Sequence, residues 1–327
     1  MRQQGRGTAS STTARHRSST EGRGLGGTWG TVLLPIIGDD DIDFSALEDE
    51  LYVLMAAGLA GLYTCGTAGE FYTLDEDEFD RLNQLVAQRC SDHGVRFQVG
   101  ASHMSGQVCL SRIARARALQ PCAVQVILPD WLPLSWSETL RTLERMAEAA
   151  DPVPLVLYNP PHSKTVLGPR QLAEAASAVP ALAGVKVAGS EGFYRALRDA
   201  APALAVFVPG HELSRTRPLG VAGSYSNVAC LQPAGAAAWE RQMETDPASA
   251  AELGERVVAF FDRQMAPLRA QGYCNTALDK ALAAIGEWAP VGTRVRWPYA
   301  AVPDHVVEDL KPKARSAVPE LFELATT

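Results

Sequence analysis

From Thr28 onward the chain alternates short apolar runs with longer stretches in which apolar residues recur every three or four positions. Eight runs stand out: Thr31–Pro35, Gly61–Thr64, Arg96–Gly100, Val124–Leu128, Leu155–Tyr158, Ala183–Val187, Ala205–Val208 and Gly220–Ser224. Each is short, often β-branched and apolar throughout, as expected of strands buried on both faces. The segments between them have helical periodicity. Phe44, Leu47, Leu51, Leu54 and Met55 form one such stripe, with Asp43 placed as its N-cap. Asp75 to Glu78 precede the Phe79, Leu82 and Leu85 stripe in the same way.

Eight strand–helix units predict an α/β fold, a (β/α)8 TIM barrel over residues 28–246. An open doubly wound sheet uses the same units and is the rival; the count of eight favours closure. Three further helical patterns, Ala248–Arg269, Thr276–Ile285 and Asp304–Leu324, predict a helical C-terminal extension over residues 247–327. Residues 1–27 are rich in Ser, Thr, Gly and Arg, with Leu25 as a lone large apolar residue. They read as a disordered tail outside the fold, with a transit peptide as the alternative.

Composition narrows the function classes. The 327 residues carry 30 Lys+Arg against 37 Asp+Glu, a net charge of -7, and 46% of them are hydrophobic. That balance excludes wholesale disorder and argues against a nucleic-acid partner. No apolar stretch reaches the length of a membrane span. The six cysteines are scattered without C-x-x-C, and the six histidines form no H-E-x-x-H. Reduced thiols in a cytoplasmic protein and no metal are the expectation. A soluble enzyme remains.

In such a barrel the chemistry sits at the C-terminal ends of the strands. Lys186 is the sole charge in Leu182-Ala183-Gly184-Val185-Lys186-Val187-Ala188. A buried ammonium lowers its pKa or finds a partner, and a neutral amine can form a Schiff base with a carbonyl. The bland alternative is a lysine whose head escapes to solvent. Tyr158 ends another apolar strand, where a phenol can shuttle protons or simply pack. Gly66-Thr67-Ala68-Gly69 is a turn whose backbone N–H groups could hold a carboxylate. There is neither a Walker loop nor a G-x-G-x-x-G after any run.

Taken together these residues resemble the dihydrodipicolinate synthase / N-acetylneuraminate lyase family of class I pyruvate aldolases. G-T-T-G-E followed by T-L corresponds to Gly66-Thr67-Ala68-Gly69-Glu70 and Thr73-Leu74; Y-N-x-P corresponds to Tyr158-Asn159-Pro160-Pro161, and G-[IV]-K to Gly184-Val185-Lys186. The opening G-T-x-x-P element corresponds to Gly30-Thr31 through Pro35, where three residues rather than two precede the proline. The resemblance implies that Lys186 forms an imine with a 2-oxo acid, pyruvate in most of the family, while Tyr158 relays protons with help from the Thr67 hydroxyl. Backbone N–H groups at Thr67 and Ala68, beside Gly66, would hold the carboxylate. No metal or organic cofactor is implied. The partners implied are the 2-oxo acid and a second carbonyl substrate, with homo-oligomerisation as a dimer or tetramer.

Departures from the pattern bear on specificity. The second Thr of the turn is Ala68. The synthases' P-Y-Y is replaced by Pro129-Asp130-Trp131, and indole cannot shuttle a proton. Lys164 offers a charge where the synthases keep an arginine, and Ala188 stands where the neuraminate lyases have Thr. These differences count against dihydrodipicolinate synthesis and against sialic acid. Gly210, His211 and Glu212 follow the seventh run, with Arg215 and Arg217 close behind. With Trp131 they suggest a mouth suited to a hydroxylated or aromatic second substrate. A dehydratase of a sugar-derived 2-oxo acid, using the same lysine imine, and a decayed barrel with a binding role are the alternatives.

Overall fold

A computed structural model describes residues 24–38 and 40–323. Eight parallel strands close into a barrel: β1 Gly27–Thr31, β2 Gly61–Thr64, β3 Phe97–Gly100, β4 Ala123–Val126, β5 Leu155–Tyr158, β6 Leu182–Lys186, β7 Ala205–Pro209 and β8 Gly223–Tyr225. Each strand pairs with the next in sequence, and β8 returns to β1. A two-stranded ribbon, Ile36–Ile37 with Asp41–Ile42, lies outside the barrel.

Helices α1 Phe44–Ala56, α2 Glu76–His93, α3 Gly106–Ala118, α4 Trp136–Ala150, α5 Pro169–Ala178 and α6 Glu191–Ala200 follow the first six strands. Their first turns are capped where the sequence places the acceptors. Asp43 accepts from the Ser45 and Ala46 N–H groups at 3.0 and 3.1 Å. Asp75 and Glu78 form a reciprocal capping box on α2. Short α7 Leu213–Thr216 follows β7, and α8 Asn227–Leu231 with α9 Pro233–Thr245 follow β8.

The extension comprises α10 Pro247–Phe260, which runs through a π-helical turn at Phe261–Met265 into α11 Ala266–Ala270, then α12 Asn275–Gly286, α13 Asp304–Ala317 and α14 Pro319–Glu323. The end of the third sequence pattern, Leu324, and Asp39 of the aspartate run lie outside the described residues. Among the described residues no helix is long and apolar enough to cross a membrane.

Two expectations need correction. The first strand is Gly27–Thr31, not Thr31–Pro35. Val32, Leu33 and Leu34 are buried, but in an irregular segment whose Leu33 N–H donates to the Glu50 carboxylate at 2.7 Å. Burial without alternation could not separate loop from strand there. Leu25, assigned to the tail, is 2% exposed and packs with Trp29, Ala183, Ala205 and Phe207 inside the barrel. The fold therefore begins before residue 28.

A buried ion pair ties the extension to the barrel mouth. Glu70 closes the turn after β2 in a left-handed conformation (φ 51°), as Cys65 opens it (φ 50°). Such angles cost a non-glycine residue energy and persist only when surrounding contacts impose them. Here Glu70 is ion-paired with Lys280 of α12, both side chains fully buried, and its other oxygen accepts from the Arg296 N–H at 2.9 Å. The Thr276 hydroxyl donates to the Thr67 carbonyl at 2.7 Å. Lys280→Met removes one partner and leaves a buried carboxylate uncompensated. That should lower unfolding free energy by about 3–5 kcal/mol, read from the urea midpoint. A loss below about 1 kcal/mol, the scale of an exposed pair, would mean that the turn is held by something else.

Candidate active site

The pairing of β5 with β6 sets Tyr158 directly opposite Lys186, so both side chains leave the C-terminal rim on the same face. The Lys186 ammonium lies 4.5 Å from the Tyr158 ring centroid, 5.3 Å from Tyr225 and 5.8 Å from Tyr63. These are cation–π distances, and the ring faces replace part of the lost hydration. Among the described residues no carboxylate comes within ion-pairing distance of the amine. Burial therefore dominates and lowers the Lys186 pKa to about 8; the more distant charge of Asp279 opposes the shift.

The tyrosines below are fixed by polar contacts. Thr31 donates to the Tyr63 hydroxyl, and Tyr225 donates to Gln98 on β3. Tyr63 and Tyr225 meet edge to face with centroids 4.7 Å apart. Tyr158 is partly buried; desolvation raises its pKa, with an opposing contribution from the Thr67 side chain. It keeps its proton at neutral pH.

Above this floor is a cavity of about 550 Å³, within the range of small-molecule sites. Lys186, Tyr158, Thr67, Ala68, His211 and Glu212 all line it, as does Ala188. Among the described residues neither the Thr67 nor the Ala68 N–H has an acceptor, so both remain available to an anion. On the far wall His211 stacks on Phe261 at 4.8 Å, is held by Asn227 and lies 3.6 Å from Glu212. Burial lowers the His211 pKa and favours the neutral ring.

Other expected residues are placed differently. Gly66 and Gly210 shape the wall without facing the cavity. An added Cβ would come within 2.6 Å of the Tyr63 ring at Gly66, and within 2.2 Å of the Ser226 hydroxyl at Gly210. Trp131 is 73% exposed and outside the cavity. Lys164 is engaged with it, donating to the Trp131 carbonyl at 2.6 Å, and does not line the cavity either. Arg215 and Arg217 turn outward to Glu255 and Glu244. The indole expected at the mouth is thus absent from the cavity, while the histidine and carboxylate are present.

Sequence reasoning missed the contribution of the extension. Asn275, Leu278, Asp279 and Leu282 of α12, together with Arg269, complete the cavity. Asp279 carries a carboxyl pushed up by burial to about 7. The available signal was a pair of adjacent charges, Asp279-Lys280, inside an otherwise apolar helix.

A closed eight-stranded barrel with a desolvated lysine at its C-terminal mouth defines the class of (β/α)8 barrels whose cavity carries a lysine of lowered pKa. More particularly, the chain belongs to the dihydrodipicolinate synthetase family, whose model matches residues 25–316. It is similar to the 4-hydroxy-tetrahydrodipicolinate synthase of Thermomicrobium roseum, 32% identical over 42% of this chain and 44% of that protein. An uncharacterized DapA-like lyase of Halobacterium salinarum is 27% identical over 64% and 69%. The chain spans about half the length, or less, of the synthases it matches first. In structure it resembles the 4-hydroxy-tetrahydrodipicolinate synthase of Methylacidiphilum fumariolicum (TM-score 0.81, 21% identity, 92% of this chain and 99% of that one). YagE of E. coli K12, solved with pyruvate, has a TM-score of 0.79 at 20% identity, covering 90% and 98%. At these identities the structural likeness concerns the fold.

The Lys186 environment has a consequence for stability. The amine's folded pKa of about 8 lies below its unfolded value of about 10.4. Between those values the unfolded chain binds the extra proton, so this group makes stability rise with pH across the window. Lys186→Met should fold, match or exceed the wild type at neutral pH, and lack that rise. Parallel urea titrations at both ends of the window check it. An identical pH dependence in both proteins would mean that the amine is hydrated.

Proposed function

We propose that the protein is a Schiff-base-forming class I aldolase or lyase acting on a 2-oxo acid, with pyruvate as the first substrate and an aldehyde or sugar acid as the second. The observation that carries this reading is the Lys186 amine, held at the rim of β6 without an ion-pair partner and with its pKa lowered to about 8. A useful fraction of such an amine is neutral near pH 7 and can attack a carbonyl. Membership of the dihydrodipicolinate synthetase family supports it.

In this reading the free N–H groups of Thr67 and Ala68 hold the substrate carboxylate over Lys186. Lys186 adds to the 2-oxo carbon, and loss of water leaves a protonated imine that accepts the electron pair released at the neighbouring carbon. Tyr158, protonated at neutral pH and opposite Lys186, delivers a proton to the oxygen of the second substrate. Thr67 orients the phenol. The assembly of all three around one cavity favours catalysis over a decayed barrel. The second substrate then meets His211 and Glu212, groups suited to hydroxyls.

Borohydride reduction with pyruvate should fix a stable adduct on the peptide containing Lys186, read by mass. An adduct on another lysine, or none with any 2-oxo acid, would contradict the proposal. Tyr158→Phe keeps the ring and should change stability by about 1 kcal/mol or less. Its turnover should fall by about a hundredfold to ten-thousandfold. Near-normal turnover would make Tyr158 a packing residue.

A further inference from the structure

Helix α12 presents two charges to two different environments. Lys280 turns into the protein interior and pairs with Glu70. Asp279, one position earlier, lines the cavity with Asn275, Leu278 and Leu282, the i, i+3, i+4 and i+7 face of the helix. Its carboxylate has no hydrogen-bond or ion-pair partner among the described residues. This carboxylate, beside Leu278 and Leu282 on the cavity wall, is not needed to hold the helix, which Lys280 and Thr276 already fasten. Its field reaches Lys186 on β6, Tyr158 on β5, Tyr63 on β2 and Cys230 on α8, while Arg269 of α11 and Lys186 are the cations it faces.

We propose that Asp279 is the acid–base partner of Lys186 in imine formation, taking the proton that the ammonium must lose and returning it to the departing oxygen. This inference rests on the Schiff-base reading of the site. The two groups lie beyond ion-pairing distance, so a water or the reacting oxygen bridges them.

Transfer from the Lys186 ammonium to the Asp279 carboxylate gives a neutral amine and a carboxylic acid. The amine nitrogen bonds to the 2-oxo carbon, the carbonyl π pair moves to oxygen, and a proton passes from nitrogen to that oxygen to give the carbinolamine. Asp279 then protonates the hydroxyl. The carbon–oxygen bond breaks, water leaves, and the nitrogen lone pair forms the protonated imine. Asp279 ends as a carboxylate beside the iminium charge. The sum is ammonium plus ketone giving iminium plus water.

The other cavity groups suit this task less well. Tyr158 and Tyr63 have pKa values raised by burial, so they hold their protons at neutral pH. The Cys230 thiol is likewise pushed up. His211 is neutral, held by Asn227 and paired with Glu212 across the cavity. Asp279 at about 7 and Lys186 at about 8 share one exchangeable proton in the interval between them. Below it both groups are protonated and the amine is not nucleophilic. Above it both are deprotonated and no acid is left to expel water.

The test is the rate of borohydride trapping with pyruvate, against pH, for the wild type and the Asp279→Asn, Asp279→Val and Asp279→Glu variants. Asn preserves shape, Val removes a buried polar group from an apolar helix face, and Glu keeps the acid. Wild-type trapping should peak between about 7 and about 8 and fall on both sides. D279N and D279V should trap about a hundredfold more slowly and lose the wild-type peak, their rate falling only below the Lys186 pKa, which moves lower without the Asp279 charge. D279E should recover most of the rate with a displaced acidic limb. Wild-type rate and profile in D279N or D279V would overturn this inference alone. Should both fail to fold, an undisplaced limb in D279E would overturn it. Absence of any wild-type adduct would overturn the reading on which it rests.

Discussion

Keeping a lysine amine at the rim of an apolar barrel without a paired carboxylate is the constraint on which the rest of the site depends. Desolvation favours the neutral amine, and any close anion would reverse that gain by stabilising the ammonium. The structure answers with faces rather than charges. Three tyrosine rings approach the amine at 4.5 to 5.8 Å, and a carboxyl stays at a distance. A ring quadrupole attracts a cation less strongly than a carboxylate does, so the Lys186 pKa stays lowered. Two of these tyrosines, Tyr63 and Tyr225, are held by hydrogen bonds with Thr31 and Gln98.

The barrel alone does not make the cavity. Strands β5 and β6 place Tyr158 and Lys186, but the turn carrying Thr67 and Ala68 is strained at both ends and is held from outside. Lys280 and Thr276 of α12 hold it, and the opposite face of that helix supplies the cavity wall. One helix thus couples stability and chemistry. Its attachment fixes the turn that would receive the carboxylate, and its exposed face sets the electrostatics above the amine. A shift of α12 would disturb both together.

Much of this was legible in the sequence. Gly61–Thr64 and Leu155–Tyr158 are strands with the expected bounds, because each is a short apolar run closed by a turn. Lys186 was conspicuous as a lone charge in such a run, and burial is what gives that pattern its meaning. The first strand was misplaced because Val32, Leu33 and Leu34 are as buried as any strand although the strand itself ends at Thr31. Leu25 was hidden in a tail whose composition is otherwise that of a solvated segment. Trp131 and Lys164 looked available to a ligand until their mutual contact was visible. Asp279 could not be placed, since the cavity it shares with Lys186 joins residues far apart in the chain through the packing of α12.

The site depends on a Lys186 amine whose pKa is lowered by its surroundings. The direct measurement is a titration of its side-chain carbon by NMR, with labelled lysine and Lys186→Met to assign the signal. The account predicts a midpoint at about 8. A midpoint at the ordinary lysine value of about 10.4 would contradict it.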